Sequence, residues 1–538
     1  MPSPYLHPRY AAPPPPPGGR EDASVVIVGG GLVGLTAALD LARRGVACVL
    51  LDEDDTVSIG SRAICFAKRT LEIYGRLGLG HRFLGKGVTW NTGRVYHGER
   101  EAYSFDLLPE QGHEYPAFVN LQQYYAEEWL VDACAATGLV DLRWRHRVAG
   151  FEAHPDGALL QVETPAGDYR LHAQWLLAAD GARSTIREAM GLAFEGQVFR
   201  DRFLIADVRM DLPLSAERRF WFDPPFHPGQ TVLLHRQANG EWRVDFQLGW
   251  DADPEAERDP DRLRRRLAAM LGPDLPVEIG WISVYTFRCR RIARFRHGRV
   301  FFLGDSAHQV SPFGARGGNG GVQDADNLGW KLAAVLAGAA PEALLDSYDA
   351  ERVPAADENI LNSTRSTDFI TPKTEAARAY RDAVLELSAR HAFARPLVNS
   401  GRLSRPATLR DSPLSSVDHG PWQGGLEAGA PAADAPVLDA DGRAGWLLRH
   451  VGADGGFTLL AFGDAVAAPG VTTLRVTDSP APGALHDHSG LAAGRFGATP
   501  GDAVLLRPDQ HVAARFRAGT ATPAAIAAAH RRALGLAA

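Results

Sequence analysis

The chain's hydrophobic pattern opens at Val25-Val26-Ile27-Val28, four apolar β-branched residues in a row. A short run with no polar alternation predicts a strand buried on both faces, beginning near Ser24. Gly29, Gly31 and Gly34 follow at once, then Leu35, Leu39 and Leu41 at helical spacing before Gly45. Ala47 to Leu51 predicts a second buried strand, ending at Asp52. This strand–turn–helix–strand order is the context in which a glycine-rich turn binds a dinucleotide. The pattern recurs at Gly298-Arg-Val-Phe-Phe-Leu303, followed by Gly304-Asp305 and a helix predicted over 322–336. Between these two units, residues 203–210, 220–222, 231–236 and 242–248 are strand-like and rich in large aromatics. They predict a sheet laid against the first domain. Further strands are predicted at 456–462, 472–476 and 502–506, with a closing helix capped by Thr522 and carrying Pro523 at its first position.

The expected organisation is α/β in several units. Residues 1–23 form a leader containing five consecutive prolines, a composition that favours extended, disordered chain. Residues 24–190 and 291–400 make the two parts of the dinucleotide-binding domain, and 191–290 the intervening sheet domain. A Pro/Gly/Ser/Ala-rich linker is expected at 401–435 and a small α/β domain at 436–538.

Composition narrows the partners. With 45% hydrophobic and 22% charged residues and a net charge of −7, the chain lacks the basic surface that nucleic acid requires. No apolar run reaches the ~20 residues of a membrane span, and the leader has no apolar core like a signal peptide's. Cys48, Cys65, Cys134 and Cys289 are scattered without metal-ligand spacing, so no metal site is expected. Scattered cysteines and the missing export signal together indicate the cytoplasm.

Three motifs carry the chemistry. Gly29, Gly31 and Gly34 provide a tight turn, close approach to a pyrophosphate and close helix–strand packing, and the following helix aims its positive end at the phosphates. Asp52, 21 residues after Gly31, stands where a carboxylate accepts from the ribose hydroxyls of an adenosine moiety. The second motif is Ala179-Asp180-Gly181-Ala182-Arg183-Ser184, with Arg187. In the third, Asp305 is set at a strand's C-terminal edge, where it can bond a ribityl hydroxyl of FAD, and Pro312 precedes the loop 314–321. Six of that loop's eight residues are glycine or alanine, as a backbone must be to approach a flat ring. Gly317 and Asn319 belong to this contact. Arg316 would add positive charge beside the flavin edge where negative charge develops on reduction.

These motifs, over residues 24–400, resemble those of the FAD-dependent aromatic hydroxylases of the p-hydroxybenzoate hydroxylase type, especially the longer 3-(3-hydroxyphenyl)propionate and phenol hydroxylases. The resemblance implies a Rossmann-like FAD-binding domain, a β-sheet substrate domain and a thioredoxin-like C-terminal domain. The last contains no cysteine, so thiol chemistry there is excluded and a packing or homodimer role is implied. It also implies FAD as cofactor and NADH or NADPH as co-substrate. In the implied cycle O₂ adds to reduced flavin as a C4a-hydroperoxide that hydroxylates a small phenolic ring. Asp180-Gly181 resembles the segment serving FAD pyrophosphate and NAD(P)H, Arg62 the arginine that contacts FAD, and Gln123, with Glu127 and Leu130, the FAD-contacting glutamine. The loop departs from the common Gly-Gly-Gln-Gly-x-Asn-Thr-Gly, which weakens any transfer of substrate from one relative.

Pro312 is expected to shape the pocket over the reacting flavin face, and His308 to be a supporting contact or part of the turn. Deprotonating the phenol assists hydroxylation; Tyr285 and His235 are candidates for that work, and Arg236 for holding a carboxylate. Trp221, Phe222 and Phe287 suit a pocket or a core equally. The alternatives are a flavin monooxygenase of a larger polycyclic or polyketide phenol or an antibiotic, and a non-catalytic FAD-binding protein. A halogenase would need a Trp-x-Trp-x-Ile-Pro segment, and a disulfide reductase a redox cysteine pair; neither is present.

Overall fold

The computed structural model describes residues 5–398, 403–464 and 466–536. Residues 1–4 of the expected leader and 401–402 of the expected linker lie outside the described residues. The first sheet runs in spatial order Arg296–His297, Val300–Phe302, Tyr169–Ala178, Arg20–Val28, Cys48–Asp52, Val140–Trp144. From Val300–Phe302 onward the neighbours are parallel. The first strand starts at Arg20, five residues before the apolar run, because Arg20 to Ala23 continue the ladder against Arg170 to Ala173. Its last four residues are buried, as are Leu35, Leu39 and Leu41 on the helix Leu32–Arg43.

The second sheet has eight strands and spans more of the chain than 191–290. Its core is Phe194–Arg209, Glu241–Leu248, Thr231–Arg236 and Arg218–Phe222, flanked by Glu278–Ile292. Thr92–His97 and Arg100–Asp106, expected within the dinucleotide-binding domain, instead extend this sheet, Thr92–His97 pairing parallel with Arg218–Phe222. Alternation sorts its two faces. Leu204, Ala206, Val208, Val232, Leu234, Val244 and Phe246 pack outward against Leu263 and Leu267 of the helix Pro260–Leu271. The inner face looks toward the first domain.

The helix expected over 322–336 begins at Gly317, so Gly317 to Gly321 are its first turns and not a loop. Gly321 among them is a packing requirement: a Cβ there would stand 2.5 Å from Val33 Cγ2. The leader is also placed, contrary to the disorder its prolines suggest. Tyr5 stacks on Tyr124 with ring centroids 4.1 Å apart and donates to Glu128, Tyr10 stacks on Trp144 at 4.5 Å, and His146 Nε2 meets the carbonyl of Pro13 at 3.0 Å. Two aromatics with flat partners outweigh the tendency of the prolines around them.

The C-terminal sheet joins three parallel strands, Phe457–Phe462, Val471–Thr477 and Ala484–His486, to antiparallel Ala503–Leu506 and Val512–Phe516. Most of the expected linker packs down: Leu409 and Leu414 are buried and Ser412 Oγ donates to Glu351. The Arg507-Pro508-Asp509 turn lies in a wholly buried polar seam with the first domain. Arg507 contacts Glu351 at 2.5 Å and Asp509 at 2.5 Å, Lys331 contacts Glu351 at 2.6 Å, and Trp330 Nε1 donates to Asp509 at 3.0 Å. Arg69 reaches across to the carbonyl of Asp509 and to Gln510.

Candidate functional site

The three motifs meet around Val33. Gly29 has φ +107°, which favours glycine, and a Cβ there would lie 2.4 Å from the carbonyl of Ala179; one on Gly34 would lie 1.9 Å from the carbonyl of Gly29. The first turn is thus closed against the residue preceding Asp180. On its other side, Gly304 and Gly321 both press on Val33, and Gly318 approaches Ala63 and Leu32. Two helix N-termini, at Leu32 and Gly317, open here with no bond from the side chain of their own N-cap residue, though Glu127 reaches Leu32 N from another helix. Sequence-distant segments therefore converge on one cleft at the starts of two helices.

The acidic residues divide by partner. Asp52 accepts from Gly30 N at 2.5 Å and Asp54 N at 2.8 Å, and burial pushes its carboxyl up to about 6. Asp180 accepts from Ile186 N, but its Oδ1 is buried with no partner; burial raises this carboxyl as well. Asp305 is open to solvent and its carboxylate makes no hydrogen bond among the described residues. Surrounding protein nonetheless desolvates it and raises its pKa, against the pull of His308 and Arg62. A carboxylate that is both exposed and desolvated lines a cleft. The orphaned Asp180 oxygen, the unbonded Asp305 and the glycine cradle fit an extended dinucleotide such as FAD.

Other expected ligands work differently. Gln123 Oε1 accepts from Ala63 N at 2.8 Å and its amide donates to Glu127 at 2.7 Å, so it braces the loop that carries exposed Arg62. Buried Glu127 takes up Leu32 N at 3.1 Å and Ser58 N at 2.7 Å. Asn319 is spent on backbone, accepting from Ala67 N at 2.9 Å and donating to the carbonyls of Cys65 and Ala315. Arg316 is buried and its guanidinium extends to Asn359 on the helix Ser347–Ile370, at 3.4 Å. Pro312 lies between buried Ser311 and Phe313, and Gly181 sits at φ +76° in the turn after Asp180.

Strand register builds the inner face of the second sheet in rows. One row reads Arg218, His235, Arg243, Asp207, Trp281; Asp207 pairs with Arg243 and Trp281, and His235 with Arg243. Arg219 opposite Leu234 sets Arg218 beside His235. This row underlies the Arg62 loop: Ser61 N and Oγ donate to Asp207, and Arg243 donates to the carbonyls of Ser61 and Arg62 at 2.6 and 3.1 Å. Farther along stand Phe203, Phe220, Phe222, Tyr285 and Phe287, with Phe313 against Phe203 and Phe287. Tyr285 is 48% exposed although ringed by this wall, and burial followed by the charge of Asp305 raises its pKa. His235 is buried, with Nδ1 unpartnered and its pKa driven well below normal by burial and by Arg218 and Arg243, so the imidazole is neutral. Arg236 points outward over Trp242. His308 is buried with its Nε2 at hydrogen-bond distance from Asp324, 2.6 Å, and Arg352 also holds that carboxylate at 2.7 Å.

Arg218, Arg243, Asp245 and Asp207 escaped the sequence reading. The signal was present in the polar alternation Arg243-Val-Asp245-Phe-Gln247, but only the pairing of distant strands brings these residues into one buried row.

Comparison with known proteins places this geometry. A family model described as FAD binding domain matches residues 22–363. A flavin-dependent monooxygenase of Mycobacteroides abscessus is 32% identical, covering 91% of this chain and 96% of its own. The 6-methylpretetramide 4-monooxygenase of Streptomyces rimosus is 34% identical, covering 91% and 90%. A 3-(3-hydroxy-phenyl)propionate/3-hydroxycinnamic acid hydroxylase of Mycobacterium sp. is 30% identical, covering 90% and 87%. Among solved structures, the flavin-dependent monooxygenase PieE shares the fold with a TM-score of 0.82 at 24% identity, covering 96% of this chain and all of that one.

Proposed function

The chain belongs to the FAD-binding-domain family and its FAD-dependent aromatic hydroxylase class, and from that premise we propose that it hydroxylates a phenolic ring using O₂ and NADH or NADPH. The observation that carries the reading is the aromatic inner face, with Tyr285 open, laid over the cleft where the three motifs converge.

When bound, FAD supplies the electron-transfer and oxygen chemistry. The chain's own residues do the rest. The Gly29–Gly34 turn and the N-terminus at Leu32 would hold the pyrophosphate, Asp52 the adenosine ribose and Asp305 the ribityl chain, with the N–H groups from Gly317 on offer to the flavin. Arg62, on the loop that Gln123, Asp207 and Arg243 brace, would orient the cofactor. Phe203, Phe220, Phe287 and Phe313 exclude water and stack the substrate ring. The single dinucleotide fingerprint supports a nicotinamide that visits the site without a domain of its own. Parallel strands flanked by antiparallel ones support a thioredoxin-like reading of the C-terminal domain.

A hydroxyphenylpropionate- or hydroxybenzoate-like substrate in aromatic catabolism is the first reading. A polycyclic phenol is the second, favoured by the 34% identity to the pretetramide enzyme. The test is NAD(P)H oxidation by the FAD-loaded protein with hydroxybenzoates, hydroxyphenylpropionates and polycyclic phenols, products read by mass spectrometry. A phenol that stimulates oxidation and gains one oxygen establishes the activity and the class. No response to any phenol, with FAD bound, refutes it.

A further inference from the structure

Arg218 is the one member of the inner-face polar row whose charge no protein group answers among the described residues. Its side chain is 8% exposed, its Nε is buried without a partner, and it forms neither a hydrogen bond nor an ion pair. Arg243 is compensated, by Asp245 at 3.0 Å and by the field of Asp207. The charged and titratable groups facing Arg218 are Cys65 from the strand Cys65–Ala67, Arg243 and Asp245 from Glu241–Leu248, and His235 from Thr231–Arg236. Asp245 is already paired, the Cys65 thiol is pushed up to about 11 by burial, and His235 is neutral. A buried guanidinium with no counter-charge is costly, and a site that keeps one is built for an anion. The strand Cys65–Ala67 is the one Asn319 ties to the glycine-started helix, so this cation lies where the reading above sets substrate against cofactor.

We propose that Arg218 binds the substrate's hydroxyl oxygen as a phenolate and is the group that ionises it, with His235 lining the same subsite. The inference rests on the hydroxylase reading and deepens it. The O–H bond breaks heterolytically, its electron pair stays on the oxygen facing the guanidinium, and the proton leaves to solvent, because His235 is held too acidic to keep it. The phenolate is the more electron-rich ring, which is the form that hydroxylation needs. Tyr285 and His235 are thereby relieved of the role of general base.

The probe is p-nitrophenol, whose phenolate is read directly by visible absorbance, titrated into the FAD-loaded protein without reductant across pH 5–9. With the wild type the bound pKa is expected about 1–2 units below the free value, as an opposite charge at contact produces. R218M should abolish the shift and weaken phenolate binding about tenfold or more, R218K should restore part of both, and R236M, on the outer face of the neighbouring strand, should change neither. Melting temperature and bound FAD establish that each variant is folded. An unshifted pKa in the wild type, or an R218M protein that keeps the shift, overturns the inference, and with turnover of a phenol intact the hydroxylase reading still stands. Loss of binding of carboxylated phenols alone, with the p-nitrophenol shift retained, assigns Arg218 to a carboxylate and also overturns it. If no phenol binds or reacts, both readings fall together.

Discussion

Replacing Glu351 by alanine is expected to cost about 3–5 kcal/mol of folding free energy, the range for removing one partner from a buried ion network. The carboxylate is fully buried and receives Lys331 at 2.6 Å, Arg507 at 2.5 and 3.1 Å, Asn327 at 2.7 Å and Ser412 at 2.5 Å. Burial pushes its pKa up, but Arg507 and Lys331 outweigh that and hold it far below the usual range. Without it, Arg507 keeps Asp509, while Lys331 keeps the amide oxygen of Asn327 and the face of Trp330 but no contacting carboxylate among the described residues. Lys331 is the weak member: burial has already pushed its ammonium down to about 8, a penalty on the charged form of about 3 kcal/mol. Urea unfolding of the FAD-loaded protein measures the loss. E351Q, which keeps the shape and some hydrogen bonds, should fall between wild type and E351A. The double variant E351A/K331M should be at least about 1 kcal/mol more stable than E351A, because it removes the stranded cation. An E351A cost below about 1 kcal/mol, or no recovery in the double variant, refutes the view that compensation of Lys331 governs this seam.

Further outcomes follow from the cleft and the leader. G321V drives a branched side chain into Val33 and Gly304 and is expected to displace the start of the long helix, seen as loss of bound FAD on gel filtration. Asp52 binds a proton when folded between about pH 4 and 6, where the unfolded chain does not, so its contribution to stability is present at low pH and lost as pH rises to about 6. Its ionised form is the one that accepts ribose hydroxyls; FAD affinity should weaken below pH 6, and D52N should flatten that dependence, both read by flavin fluorescence. Replacing Tyr5 and Tyr10 by alanine removes two ring stacks worth about 0.5–1.5 kcal/mol each, and limited proteolysis should then cleave the leader faster.

What the sequence discloses here depends on distance along the chain. The strand at Val25 to Val28, its glycine turn and the helix after it are legible because strand, turn and helix are neighbours and their glycines are dictated by backbone contact. Val33 is not legible as the point where the first and third motifs touch, since its partners Gly304 and Gly321 lie nearly three hundred residues on. The pairing of Thr92–His97 with Arg218–Phe222 is invisible for the same reason, and with it the burial of Arg218. Tyr5 and Tyr10 were hidden otherwise: the prolines around them set the local tendency, and flat partners at Tyr124 and Trp144 overrode it.

The seam around Glu351 has a consequence for how such proteins recombine. A crossover at the composition break near residue 400 would look harmless, yet Arg507 finds its partner 156 residues upstream. A C-terminal sheet imported from a relative would bring its own cation or none, and leave Lys331, Glu351 and Arg69 facing the wrong charge. The unit that would have to move intact is the sheet together with the helix faces that carry Lys331 and Glu351 and with Arg69 far upstream, so no single cut in the chain leaves the seam whole.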